Sequence, residues 1–317
     1  MMTTNQTLSQ VRVVNPVLTE RVQGYKDTQF VWNLLFPPVP VTLSGGQILE
    51  FGDEAFRLYQ TKRAPGAATV RANFFYTGKQ YSLVCDAIEA PVPREHQRDA
   101  QVSPGIDLAE RAVMMAMRVL NRQLEYDAAQ LATTAANYAT GNSVTVASAD
   151  RWSVNTVDPV QAVNNWREIV RGKIGADINV MVVGPGVYRA LQTNDKMRDR
   201  VKYTSGEPMT EAMFARLFDV EVFAVGRGVY SSNTGPNNTP TFVDIWGKDV
   251  ILAYVPQQAT TMEEPSFGYT YTMVGHPLVE EPYYDNNTKT WYYGVTYERA
   301  PVIASNIAGF LAKGVVA

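Results

Sequence analysis

The 32 residues from Asp107 to Tyr138 contain neither glycine nor proline. A continuous helix of that length would run about 48 Å, far beyond the usual globular helix of about 11–12 residues. Apolar residues recur at Val113, Met117, Leu120, Leu124, Ala128, Leu131 and Ala135 in steps of four and three, which is one helical face. A second stripe, Leu108, Ala112, Met115 and Val119, covers the first half, and Arg111, Arg118, Arg122 and Glu125 read as the polar edge. Pro104-Gly105 breaks the chain before the stretch, and Asp107 with Glu110 forms a capping-box pattern. Gly141-Asn142 reads as its end. Two apolar stripes on so long a helix require more than one packing surface. The stretch therefore reads either as the core helix of a large α/β domain or as a beam crossing an extended subunit.

Composition narrows the class. The chain has 317 residues, 45% apolar and 19% charged, as a folded protein of two domains would. No apolar run approaches the 18 or so residues of a membrane span, and Met1–Gln6 lacks the basic and apolar regions of a signal peptide. Cys85 is alone, which suits a reducing compartment. A net charge of −3 argues against a protein that grips nucleic acid, though not against one that surrounds it.

Residues 1–47 are polar and then punctuated by Pro16, Pro37, Pro38 and Pro40, a pattern that reads as an arm lying on another surface. Residues 48–92 alternate like strands around a turn-rich tip at Thr61–Ala68, which predicts one long two-stranded hairpin with Cys85 buried in it. Such a hairpin is marginal by itself and must lie on its own body or on a neighbour. From 151 to 260 helices alternate with strands in a compact α/β unit: a helix Pro159–Lys173 capped by Asp158, a buried strand Asn179–Val183, a helix with Tyr188 and Leu191, a helix from Thr210, and strands at Val220–Val225 and within Asp244–Val255. From 261 the pattern returns to β, with strands at Tyr269–Val274, Leu278–Tyr284 and Trp291–Tyr297, and Pro301–Val316 docks on a core.

Little in the chain advertises catalysis. His96 and His276 are far apart, and no metalloprotease, serine-hydrolase or cysteine-cluster motif is present. Gly184-Pro185-Gly186 sits between a strand and a helix, where a phosphate loop belongs, but Arg189 stands where the third glycine would be. The turn reads as structural. Glu263-Glu264 and Glu280-Glu281 have the chemistry to hold a hard cation, but a solvated or salt-bridged face fits each pair better. No catalytic, cofactor or metal residue is assigned.

The order of parts resembles the major capsid proteins of tailed phages, with the Hong Kong ninety-seven type fold. Asn15–Thr19, Leu35–Val41, Glu54-Ala55-Phe56, Arg63–Gly66, Val182–Leu191, Asp244–Asp249 and Pro265–Thr270 carry the resemblance as an ordered set over nearly the whole chain. It implies an α+β subunit with an N-terminal arm at 1–47, an extended E-loop at 48–92, a P-domain with the spine helix at 93–150 and 261–300, and an A-domain at 151–260 and 301–317. It also implies a structural protein, not an enzyme, that assembles with itself as hexamers and pentamers of an icosahedral shell. Such a shell forms in the host cytoplasm, ends as the virion capsid, and encloses double-stranded DNA without reading its sequence. Scaffolding, portal and decoration proteins are the further implied partners. Too few residues precede the hairpin for a built-in scaffolding domain. The alternatives are an encapsulin-type compartment of the same fold and, in another class, an α/β nucleotide-binding enzyme using the 184–186 turn.

Charge is sorted along the chain. Arg57, Lys62, Arg63, Arg71 and Lys79 lie in a hairpin stretch that holds no acid, and Asp249, Glu263, Glu264, Glu280, Glu281 and Asp285 lie in a stretch without Lys or Arg. Such sorting suits contacts between subunits, where complementary charge guides encounter and register. Solvated faces worth little individually are the alternative.

Overall fold

The computed structural model describes residues 14–24, 30–47, 61–66, 69, 80–101, 107–202, 209–232, 239–256 and 266–317. Its axis is the helix Leu108–Thr133. Asp107 caps the helix, its side chain accepting from the backbone N–H of Ala109 at 2.9 Å and of Glu110 at 3.2 Å. The helix stops short of the predicted end at Tyr138. Side chains at its end and just past it bond to carbonyls of its last turns, where the last four otherwise lack partners. The hydroxyls of Thr133 and Thr134 donate to the carbonyls of Ala129 and Gln130, the Asn137 amide to Leu131, and the Tyr138 hydroxyl to Ala132, all within 2.9 Å. A 3-10 turn at Ala135–Asn137 makes this possible, and Gly141, at φ 86°, turns the chain only afterwards.

One face of the helix is buried along its length: Ala112, Val113, Ala116, Met117, Leu120, Leu124, Ala128, Ala129 and Ala132. The predicted second stripe is not a core face. Ala112 is buried, but Met115 is 69% and Val119 44% exposed, because a single sheet packs on this half of the helix and covers one side of it. The N-terminal half packs on Val92, Val279, Tyr293, Val295 and Tyr297. The C-terminal half, through Ala128, Ala129 and Ala132, joins a separate core with Trp246, Phe267 and Leu311. The helix thus belongs to two hydrophobic cores at once.

The sheet under its first half has six strands around the long strand Thr290–Ile303. Val84–Pro93 runs antiparallel along one edge, from Thr290↔Pro93 to Arg299↔Val84. Tyr283–Asp285, Leu278–Val279 and Gly268–Met273 share the other edge, and Pro38–Val41 adds in parallel beyond Gly268–Met273. The predicted strand Leu278–Tyr284 is broken at Glu280-Glu281-Pro282, where proline has no N–H to give the ladder.

The predicted hairpin over 48–92 is corrected over 84–92. Gln80–Ser82 pairs with Gly45–Gln47, and Val84–Pro93 then leaves for the long strand, which offers it a ten-residue ladder and a helix to pack on. Asp86, Ile88, Ala90 and Val92 turn toward the helix, and Cys85, Ala87, Glu89 and Pro91 are left exposed. Cys85 is therefore a surface residue. The hairpin flanks at 48–60 and 70–79 lie outside the described residues.

The second body is a five-stranded sheet in the order Ser143–Thr145, Gly309–Lys313, Val250–Ala253, Val180–Val183, Val222–Val225. Val180–Val183 and Val250–Ala253 are buried at every residue, as central strands covered on both faces should be. Its longest helix, Pro159–Ile174, begins at Asp158 with proline in the first turn and ends at Gly175 in the left-handed region, as the sequence predicts. The predicted docking of 301–316 also holds: Phe310, Leu311 and Ala312 lie in the centre of the core.

Candidate functional site

Gly184 begins the helix Pro185–Thr193. A Cβ placed on it would lie 1.9 Å from the carbonyl oxygen of Gly247. The turn is thus covered by another stretch of backbone, with an acceptor oxygen over it where an anion would need donors. This contact joins two of the stretches that carried the resemblance, Val182–Leu191 and Asp244–Asp249. A second pair meets in the same way. Gly268 lies under the Phe36 ring, 2.4 Å from its nearest carbon if a Cβ were added, and Thr270 donates to the carbonyls of Pro37 and Phe36. Leu35–Val41 and the described part of the second stretch, 266–270, are therefore one packing unit. Among the described residues no group of three or more His, Cys, Asp or Glu is placed to hold a metal ion.

Two buried charges fasten the long helix to other parts of the subunit. Glu125, read from sequence as part of the polar edge, is 0% exposed. Its carboxylate accepts from the backbone N–H of Val31 at 3.1 Å and of Trp32 at 2.8 Å, and from the Trp246 indole N–H. It thus joins the long helix, the N-terminal segment and the five-stranded lobe. The signal was available in the sequence: position 125 continues the 117–121 spacing of the buried face, one turn before Ala129. Arg299, on the long strand, is 2% exposed. It donates to the Leu120 carbonyl and, at 3.3 Å, to Asp86, and its guanidinium lies 4.5 Å over the Tyr297 ring. Burial pulls its pKa below the ordinary guanidinium value, against the pull of Tyr297, Asp86 and Asp127. Burial likewise raises the Asp127 carboxyl, against a hydrogen bond from Gln123.

Of the charged residues singled out from sequence, Lys62 and Arg63 are exposed within the described stretch 61–66. Arg57, Arg71, Lys79, Glu263 and Glu264 lie outside the described residues. Glu280 is half-buried and accepts from the Thr296 hydroxyl at 2.7 Å. Asp285 shapes its own turn, accepting from the Asn287 N–H at 2.8 Å and the Thr288 hydroxyl at 2.7 Å, and those bonds hold its pKa below the usual carboxylate range. Asp249 accepts from the Gly314 N–H at 2.8 Å, and burial raises its pKa. Glu281 is exposed. The sheet adds two acids that the sequence reading missed. Glu89 projects from the side away from the long helix, hydrogen-bonded by the Tyr283 hydroxyl at 3.0 Å. Glu298 shares that side, because it pairs directly with Cys85. No periodic signal links them in sequence; only the register of two distant strands brings them to one face.

Residues 107–290 match the family described as phage major capsid protein E. A major capsid protein of Burkholderia phage BcepMu is 32% identical over 97% of this chain and 98% of its own length. The chain belongs to the phage major capsid protein E family. A solved phage-related protein of Bordetella bronchiseptica RB50 shares 41% identity, with a TM-score of 0.82 over 96% of this chain and 98% of that one. The capsid of cyanophage P-SCSP1u has the same fold at 10% identity, with a TM-score of 0.57 over 98% and 91% of the two chains. The protein is thus a phage major capsid protein with the fold that the resemblance implied. The working parts of a capsid protein are its contact surfaces and the joints that hold their angles. Glu125 and Arg299 are two such joints: each fastens the long helix to another part of the subunit.

Proposed function

We propose that this capsid protein assembles as hexamers and pentamers into a closed icosahedral shell that encloses double-stranded DNA without reading its sequence. In this reading residues 1–47 are the N-terminal arm, 48–92 the E-loop, 93–150 and 261–300 the P-domain with the spine helix, and 151–260 and 301–317 the A-domain. The shell is built in the host cytoplasm with scaffolding and portal proteins and ends as the virion capsid. One observation carries the reading. Lys62 and Arg63 are exposed, while the sheet carries Glu89 and the half-buried Glu298 on its side away from the long helix, and Glu281 is exposed. Opposite charges at separate places on one subunit suit contact between copies, which closed symmetry then repeats.

On this proposal the hairpin of one copy, with Arg57, Lys62, Arg63, Arg71 and Lys79, lies across the acidic β region of its neighbour, with Glu263, Glu264, Glu280, Glu281 and Asp285. Reversing Arg63 and Arg71 to Glu slows assembly, and reversing Glu263 and Glu281 to Lys in the same chain restores part of the rate. Light scattering measures the rate, and electron microscopy with nuclease-protected DNA identifies the product. Assembly unchanged by the first reversal, or particles that protect no DNA, would overturn the corresponding part of the proposal.

A further inference from the structure

Met117, Asn121 and Glu125 follow one another at four-residue steps on the buried face of the long helix. Glu125 holds the backbone N–H groups of Val31 and Trp32. Asn121, one turn earlier, is 6% exposed, and among the described residues its side-chain amide has no hydrogen-bond partner. It lines a cavity of about 370 Å³ together with Val22, Phe30, Trp32, Met117 and Tyr297. Val22 comes from the short helix Pro16–Gln23, Tyr297 from the long strand, and Phe30 and Trp32 from the segment that Glu125 fastens. Tyr297 is also buried, and its hydroxyl likewise has no hydrogen-bond partner among the described residues. None of the described residues that line the cavity is charged.

We propose that this cavity is the binding site of a small neutral aromatic molecule that carries one hydrogen-bonding group, a phenol or an aromatic amide. The inference concerns the single subunit and does not depend on how copies assemble. A buried amide without a partner destabilises the fold unless something in the cavity bonds to it. The Asn121 amide offers both a donor and an acceptor, and the Tyr297 hydroxyl can give or take a bond. These are the two groups that orient the ligand. Water alone would satisfy them, but it would also lie against Val22, Phe30 and Met117, which offer it no bond. The rings of Phe30, Trp32 and Tyr297 favour a ring over an alkyl chain, because aromatic pairs stack or meet edge to face, and the Met117 thioether packs well on ring edges. A charged ligand would lose its water and meet no counter-charge. The volume lies within the range of small-molecule sites. Trp32 is both a wall of the cavity and a residue held by Glu125, so an occupied cavity also secures the N-terminal segment on the helix.

The test uses the full-length protein in equilibrium dialysis against four probes: β-naphthol, naphthalene, β-naphthalenesulfonate and N-acetyltyrosinamide. β-Naphthol is expected to bind about tenfold or more tightly than each of the others, and to raise the melting temperature as it saturates the site. Asn121→Leu should weaken β-naphthol about tenfold or more and leave naphthalene within about twofold, because only the polar contact is lost. Tyr297→Phe keeps the ring and removes the hydroxyl alone; it should weaken β-naphthol about threefold or more, and it decides the matter if Asn121→Leu does not fold by circular dichroism. Binding of no probe would make the cavity a water-filled space and overturn the proposal. Naphthalene bound as tightly as β-naphthol, or β-naphthol binding unchanged in both variants, would overturn it too. So would tighter binding of N-acetyltyrosinamide, which would make the occupant a side chain of another protein chain, or of the sulfonate, which would make it an anion.

Discussion

At the scale of single residues, the decisive groups are those buried with a charge. Glu125 accepts hydrogen bonds from three N–H groups of two distant segments. Glu125→Leu leaves those donors unpaired, at about 1–3 kcal/mol for each buried group. The loss lowers the melting temperature by roughly 6 °C or more, since 1 kcal/mol moves a chain of this size class by about 2–4 °C. Glu125→Gln keeps one acceptor oxygen and should fall about half as far; calorimetry on the unassembled subunit distinguishes them. Asp249 gives a pH dependence of known sign. Burial raises its pKa in the fold above the unfolded value, so the folded state holds the proton more tightly. Its ionisation weakens the fold as pH rises from the unfolded pKa through the folded one. Asp249→Asn keeps an acceptor for the Gly314 N–H and is expected to be at least as stable as the parent at pH 7. The difference should vanish in acid below the ordinary aspartate range, as denaturant titrations at a series of pH values would reveal.

At the scale of elements, the long helix works by having one buried face and two different partners for it. Leu124 is 0% exposed, and Leu124→Asp places an unpaired charge in the core at a cost of several kcal/mol. The variant should be insoluble or unfolded on expression. Val119→Asp, one turn away on the exposed side, should fold with unchanged helical content and a stability within about 0.5 kcal/mol of the parent. Equal behaviour of the two variants would show that the buried face is misassigned. Periodicity alone did not separate these positions, because Met115 and Val119 repeat with Leu108 and Ala112 as regularly as the core residues do. The exposed pair is distinguished only by the absence of an element above it.

At the scale of the whole molecule, the subunit couples two cores through one helix, and among the described residues Gly45–Gln47 and Gln80–Ser82 pair over three residues at the root of the proposed hairpin. Residues 61–66 are exposed at every position and contribute little to either core. Deleting Thr61–Val70 should therefore leave a folded subunit with nearly the parental melting temperature, yet reduce or abolish closed particles. Parental yields of particles by sedimentation and microscopy would show that the tip is no assembly arm. If charge guides the contact, the parental assembly rate also falls as added salt shortens the screening length below about 10 Å.

The sequence alone determined what depends on neighbours along the chain: the Asp107 and Asp158 caps, the Gly175 stop, the buried run Val180–Val183, and the core face through Leu120 and Leu124. Those features rest on short-range hydrogen bonds and periodicity, which local spacing encodes. The ordered motifs also pointed to the family before any contact between them was known. Tertiary structure decided the rest. Val84–Pro93 looks like the return strand of a hairpin, but pairs with a strand about two hundred residues further on, because that strand offers a longer ladder and a helix to cover it. Cys85 lies outside and Glu125 inside for the same kind of reason: exposure is set by which element packs above a residue. The acidic side that joins Glu89 to Glu298 arises from strand register, a relation between segments that local spacing does not carry.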